Sequence, residues 1–300
     1  MKRALIATAL VLAACGEGTQ GPFTVPRDPT PALAPSDLPA FFDCLREQSV
    51  VIVSAHRGRL SSVIPENTLQ AFQNTVASVP AFLEADVART RDGVLVLMHD
   101  DAVDRTTNGH GPVSELTSEE FKALRVDSPE MIPAPVPPTL REALDWADGR
   151  AILELDIKRS VRFEDVLHEV RDAGAMGRVV FITYSVNAAA RLAELAPEAM
   201  IYTTITSARE LDALERRGVN LDHIVAWVGS DAPSQSLVEA LAARGVETRF
   251  GMFGEERDYS NAARIGAQIV AVDRAAEAYR DFDAADGEEG YAALRCANAR

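Results

Sequence analysis

A closed barrel of eight parallel strands alternating with helices is the fold class predicted for this 300-residue chain. Three observations predict it. Eight strand-like runs, most of them near-continuously apolar and rich in β-branched residues, lie at 50–55, 82–88, 151–157, 179–183, 200–204, 224–228, 246–250 and 268–272. Strands buried on both faces read in this way, as a parallel sheet covered by helices requires. Amphipathic stretches near 66–78, 139–148, 161–174, 186–196, 207–217, 234–244 and 259–265 separate the runs. The span they cover suits the roughly 250 residues usual for a (β/α)8 barrel, the TIM barrel. An open doubly wound sheet is the competitor, but no GxGxxG opens the first helix.

The elements follow in order. Residues 1–14 carry Lys2 and Arg3 ahead of an apolar run from 4 to 14 that is too short to span a bilayer. Leu12-Ala13-Ala14-Cys15 resembles the lipobox of bacterial lipoproteins. That resemblance implies cleavage before Cys15, lipid attachment to its thiol, and a periplasm-facing cell-envelope protein. Gly16 in place of Asp favours the outer membrane; an ordinary secretory signal is the alternative. Residues 15–47 are expected to form the lipidated tether, with Pro at 22, 26, 29, 31, 35 and 39 breaking any ladder or helix. The barrel domain is expected at 48–300. Cys44 and Cys296 stand near its two ends. In an oxidising compartment a bridge between them would pin the termini together, provided their Cα atoms come within roughly 7 Å.

Helix boundaries are marked where expected. Ser207 and Glu210 have capping-box spacing, and Gly218 and Gly245 follow their helices. One interval breaks the alternation. Between the second and third barrel strands lie some sixty residues with a turn at Arg91-Asp92-Gly93, an apolar run at 94–98 and a short helix near 117–125. The run at 94–99 is expected to pair antiparallel with the preceding strand. The barrel is therefore expected to carry an insertion after its second strand, where loops shape substrate sites.

Composition narrows the function. The 47% hydrophobic and 25% charged fractions are those of a globular protein, and exclude wholesale disorder. A net charge of −15 with no basic run excludes nucleic acid as a partner. Three cysteines without a CxxC pair give neither a disulfide scaffold nor a zinc site.

The chemistry-bearing residues gather at the strand ends. His56 and Arg57 follow the first strand, and Glu84 and Asp86 share one face of the second. His99 ends the hairpin, while Glu154, Asp156 and Lys158 share a face of the third barrel strand. Carboxylates converging in a barrel mouth repel one another unless a cation is present, and hard oxygen ligands select Mg²⁺ or Ca²⁺. Arginine and lysine beside such a cation receive phosphate, and two histidines supply an acid and a base. Metal-assisted phosphoester cleavage is the chemistry these residue types describe.

Five ordered blocks sharpen that reading: Ser54-Ala55-His56-Arg57-Gly58, Pro65-Glu66-Asn67-Thr68, Leu83-Glu84-Ala85-Asp86-Val87, the run 92–101 from Asp92 through His99 to Asp101, and Asp104-Arg105-Thr106-Thr107-Asn108-Gly109. Together they resemble the glycerophosphodiester phosphodiesterase family, and weaker similarity runs on to Val272-Asp273-Arg274. The resemblance implies a TIM barrel that hydrolyses glycerophosphodiesters to glycerol 3-phosphate and an alcohol with a divalent cation, Ca²⁺ or Mg²⁺. It implies His56 and His99 as the acid–base pair, Arg57 and Lys158 on phosphate, and Glu84, Asp86 and Asp156 as metal ligands. The family's third ligand is usually Glu in Glu-x-Lys. Here Asp156-Ile157-Lys158 stands in that place, and Glu154 is the rival ligand. Glu66 and Asn67 are expected to orient the His56 loop. Phe250-Gly251-Met252-Phe253-Gly254 departs from a common Trp-Thr-x-Asn segment and alters a pocket wall. Two other readings stand at this point: a relative that cleaves intact lipid, and a non-catalytic ligand-binding lipoprotein. The assignment of acid and base, attack by water or by a 2-hydroxyl, the alcohol group and the oligomeric state stay open.

Overall fold

In a computed structural model, which describes residues 32–129, 131–254, 258–286 and 292–297, the eight strand-like runs close into a barrel. Its strands are β1 (Ile52–Ala55), β2 (Ala81–Arg89), β4 (Leu153–Ile157), β5 (Val179–Ile182), β6 (Met200–Thr204), β7 (Ile224–Trp227), β8 (Glu247–Met252) and β9 (Ile269–Val272). Each pairs in parallel with the next, and β9 pairs with β1 to close the circle. The remaining strand, β3 (Leu95–Leu97), lies antiparallel on β2 with Val87 opposite Leu97. It is the hairpin partner expected in the insertion.

Helices α2 (Leu69–Val76), α4 (Leu140–Ala147), α5 (Phe163–Asp172), α6 (Val186–Leu195), α7 (Ala208–Glu215), α8 (Gln235–Ala242), α9 (Asn261–Arg264) and α10 (Ala275–Asp286) intervene between the strands or follow the last, and α3 (Ser118–Ala123) belongs to the insertion. Their starts are chemically specified. The Thr68 hydroxyl accepts from the Ala71 N–H at 3.1 Å. Capping boxes at Thr117/Glu120 and Thr139/Glu142 satisfy donors that a helix N-terminus leaves unpaired. At α7 the Glu210 carboxylate accepts from the Ser207 N–H at 3.0 Å.

The N-terminal end of the barrel is sealed, and here the structure corrects the sequence reading. Residues 38–47, expected to end the tether, form helix α1 (Leu38–Glu47). Pro39 sits in its first turn, where no intrahelical N–H is needed, and Asp37 caps it by accepting from the Ala40 N–H at 3.1 Å. Phe41, Phe42 and Leu45 of α1, with Ala293 and Leu294 of α11 (Ala292–Ala297), pack over an apolar floor of Ile52, Phe82, Ile152, Val180, Met200, Val225 and Ile269. Phe42 is wholly buried, with its ring 5.6 Å from Phe82 and 6.2 Å from Tyr202. The bridge between Cys44 and Cys296 forms, with Cα atoms 5.5 Å apart, and ties α1 to α11. The signal peptide at 1–14, Cys15 and the tether before residue 32 lie outside the described residues. No helix among the described residues is long and apolar enough to cross a membrane. With one end closed by packing, the open C-terminal end is left for chemistry.

Candidate active site

Parallel pairing of β2 with β4 sets Glu84 opposite Glu154 and Asp86 opposite Asp156. The two-residue period then turns all four carboxylates into the barrel. They separate into two levels. Glu84, Asp86 and Asp156 each bring a carboxylate oxygen within 4.8 Å of the others, and all three are buried. Glu154 lies below them and is fully occupied. Its Oε2 accepts from Ser54 Oγ at 2.6 Å and Arg249 Nη2 at 2.8 Å, and its Oε1 accepts from Tyr202 at 3.0 Å. Asp156, not Glu154, completes the cluster.

Three buried carboxylates so close are electrostatically unstable alone. Burial, then Asp86, then Asp156 push the Glu84 carboxyl well above its usual range. Oxygen donors of this kind, held by two rigid strands, fit a hard divalent cation. Lys158 meets part of the charge. Its Nζ donates to Asp86 at 2.6 Å and to Asp156 at 2.9 Å, so the lysine expected on phosphate also bridges two of the acids.

The turn after β1 is shaped by conformation as much as by charge. His56–Gly58 forms a short 3₁₀ turn in which Arg57 adopts φ +56°, a sparsely populated region for a side-chain-bearing residue. Its backbone N–H donates to Glu84 at 2.6 Å, which fixes the strained peptide against the acidic cluster. Gly58 follows at φ +69°, where a Cβ would stand 2.1 Å from the Phe72 ring. Only glycine lets the turn pack on α2.

Both histidines are oriented by carboxylates. His56 Nδ1 lies 2.7 Å from Asp273 at the end of β9, and His99 Nδ1 lies 2.7 Å from Asp100. Asp273 also accepts from the Gly254 N–H and from Arg59, and Arg105 holds Asp100 through Nε at 2.5 Å. Hydrogen bonding from His56 holds Asp273 below the usual carboxylate range, and Arg105 does the same for Asp100. An ionised carboxylate at Nδ1 favours the proton there and leaves Nε2 as the reacting nitrogen. The two rings line one cavity with Glu84, Asp86 and Asp156.

Glu66 and Asn67 act through their neighbours. Glu66 clamps Arg57 at 2.9 Å and Arg105 at 2.6 Å, joining the turn after β1 to the insertion. Asn67, at φ +53°, donates to Asp86 at 2.7 Å and accepts from the Asp86 N–H at 3.0 Å. It therefore orients an acid of the cluster, besides meeting the His56 loop through its backbone bond to Arg57. Arg57, expected on phosphate, donates Nη1 to Glu66 and places Nε 3.9 Å from Asp86.

Apart from the 250–254 segment, sequence reasoning missed the rest of the wall. Tyr184, exposed over most of its surface, donates to Asp156 at 2.7 Å, and the loss of water around its hydroxyl together with that carboxylate pushes the phenol upward, keeping it a donor. Trp227 lines the cavity, and so does Phe253, whose divergent segment was expected to alter a pocket wall; the Phe253 ring stands 4.9 Å from His56. Gly251 makes room for them, since a Cβ there would lie 2.5 Å from Trp227 and 2.6 Å from Phe253. Arg249 enters the cavity from β8. It was not singled out in the sequence, because its partners are distant along the chain.

Comparison with known proteins agrees with this geometry. The profile of the Glycerophosphoryl diester phosphodiesterase family matches residues 56–275, which is most of the chain and all of the paired acids and histidines. The chain belongs to this family. A glycerophosphodiester phosphodiesterase from Caldanaerobacter subterraneus subsp. tengcongensis is 32% identical over 158 residues, covering 50% of this chain and 65% of that one. Glycerophosphodiester phosphodiesterase 1 of Bos taurus is 40% identical over 104 residues, covering 33% of this chain and 31% of its own length. The alignments thus span less than two thirds of these curated relatives. A crystal structure of a glycerophosphoryl diester phosphodiesterase from Parabacteroides distasonis superposes with a TM-score of 0.78 at 29% identity, over 84% of this chain and 94% of that one. Family membership and the barrel fold rest on these matches together.

Proposed function

We propose that this protein hydrolyses glycerophosphodiesters to glycerol 3-phosphate and an alcohol, with Glu84, Asp86 and Asp156 holding Mg²⁺ or Ca²⁺ and His56 and His99 as the acid–base pair. The observation that carries the reading is the convergence of two carboxylate-oriented histidines on one buried acidic cluster. A binding protein needs no such couple. When bound, the divalent cation withdraws charge from the phosphoryl oxygens.

The chain's own groups supply the remaining steps. One histidine removes the proton from the attacking oxygen through Nε2, and the other protonates the departing alkoxide, each worth about 10²–10⁴-fold. Asp273 and Asp100 hold the two rings in the required tautomer and stabilise the imidazolium that forms. Lys158 offers an ammonium group beside the acids for phosphate oxygen. A diester has two arms, and two spaces meet at Asp156 and Tyr184 to take them. One is an inner cavity of about 220 Å³, and the other an outer cleft of about 550 Å³ lined also by Lys158, Arg159 and Asp101. The inner volume is below the roughly 300–1,000 Å³ of sites for drug-sized ligands, and favours a small polar arm over an acyl chain.

Lipid attachment at Cys15 would place this activity on the periplasmic side of the cell envelope, with the residues before α1 as a tether. Labelling with a radioactive fatty acid, compared between the parent and Cys15→Ala, tests that placement. The chemistry is tested by glycerol 3-phosphate release from glycerophosphocholine, glycerophosphoethanolamine and glycerophosphoglycerol. The full-length protein is stripped with EDTA and then given Mg²⁺ or Ca²⁺. Cation-dependent release that disappears in His56→Ala is the expected result. A folded, metal-loaded protein that releases nothing from any of the three contradicts it.

A further inference from the structure

Below the acidic cluster the barrel holds a second charged assembly that the proposed chemistry does not use. Arg249 projects from β8 across the interior, with only 7% of its side chain exposed, and forms the floor of the inner cavity. One of its nitrogens is committed: Nη2 donates to Glu154 at 2.8 Å and to Ser54 at 3.0 Å. Nε is buried and has no partner among the described residues. That nitrogen is enclosed too deeply for a ligand to reach, but Nη1 forms no hydrogen bond among the described residues, which leaves the guanidinium a donor where it lines the cavity.

The guanidinium is also fixed in place. Its Cζ lies 4.9 Å from the centre of the Tyr202 ring and 5.0 Å from that of Trp227. Those two aromatic faces, with Phe253 and Tyr184 near them, have the composition of a cage for a quaternary ammonium group. Here the cation that occupies them is the protein's own. A choline arm on this floor would find the ring faces taken and a positive charge opposing it. A polyol arm would find a planar donor held at the right depth, with Glu154 keeping the assembly neutral overall.

We propose that Arg249 is a specificity residue of this site, hydrogen-bonding hydroxyl oxygens of a polyol arm on the cavity floor and excluding a quaternary ammonium arm from it. This rests on the phosphodiesterase reading, because it takes phosphate to lie at the acidic cluster above. A choline or ethanolamine arm is then left to the outer cleft.

Calorimetric titration of the full-length protein in Mg²⁺ tests the assignment with two probes that share a phosphate and differ in the arm. Glycerol 3-phosphate is expected to bind at least about tenfold more tightly than phosphocholine, since a site built to donate to hydroxyls rejects an arm that lacks them. Arg249→Lys keeps a charge opposite Glu154 but loses the stacked planar fork, and is expected to reduce the preference to about threefold or less. The paired change Glu154→Gln with Arg249→Gln removes both charges without stranding either, and is expected to do the same. Equal or tighter binding of phosphocholine by the parent overturns the proposal, and so does an unchanged preference in whichever variant folds. Turnover is scored separately. Preference without turnover sinks the hydrolytic reading alone, while turnover without preference sinks the role of Arg249 alone.

Discussion

The two ends of the barrel are built from the same strands and could hardly differ more. At the N-terminal end the inward residues are apolar except Glu247, which is paired with Arg46 of α1, and α1 and α11 close the opening with Phe41, Phe42, Leu45 and Leu294. At the C-terminal end the next positions along β2 and β4 are Glu84, Asp86, Glu154 and Asp156, all buried. One end gains free energy from burial, and the other spends it on groups that repel one another. The difference teaches where each kind of residue belongs. Stability is concentrated at the sealed end, so the mouth can hold carboxylates that no folding argument would favour.

That division can be broken by mutation, and the largest effect is expected at the mouth. His56→Ala and His99→Ala should each lower kcat about 10²–10⁴-fold while the melting temperature stays near that of the parent. A matching collapse in stability would show that the two ends are not separable. Phe42→Ala should do the reverse, costing about 3–5 kcal/mol in chemical denaturation while the folded fraction keeps the parent's kcat. Replacing Cys44 and Cys296 together by Ala should cost about 2–5 kcal/mol, because the bridge closes nearly the whole domain into one loop. Turnover at 25 °C should again be preserved.

The smallest effect is one of shape with pH. Burial alone would raise the Glu66 carboxyl, but Arg105, Arg57 and Arg59 outweigh it and hold the group below its usual value. A depressed folded-state pKa gives stabilisation that is present above about pH 4.3 and fades as pH falls through the folded value. Glu66→Gln should therefore be less stable than the parent near neutrality and converge with it in acid. A constant gap from pH 7 to pH 3, read by denaturant melts, would remove Glu66 from the account.

The comparison also explains what the sequence disclosed. All eight barrel strands were legible, most of them because burial on both faces leaves near-continuous apolar runs; β8, with Glu247, Thr248 and Arg249, was placed by the alternation of strands and helices. The antiparallel hairpin of β3 was legible too, through its tight turn. Helix α1 was not: Pro35 and Pro39 read as tether, although a proline in a first turn is compatible with a helix. The acids and histidines stood out because each lies in a compact block. Their supports did not always. Asp100 adjoins its histidine, but Asp273 is 217 residues from His56, and Arg249 is 95 residues from Glu154. Glu154 and Asp156 share a strand face and were equivalent in one dimension. Ser54, Tyr202 and Arg249, from three other strands, separate them.

That separation is the central claim, and cation binding tests it most directly. Titration calorimetry of the EDTA-stripped protein with Mg²⁺ and with Ca²⁺ would be run on the parent, Asp156→Asn and Glu154→Gln. The account predicts one site in the parent, a site retained in Glu154→Gln, and binding lost or severely weakened in Asp156→Asn. Full binding by Asp156→Asn together with loss in Glu154→Gln would contradict it.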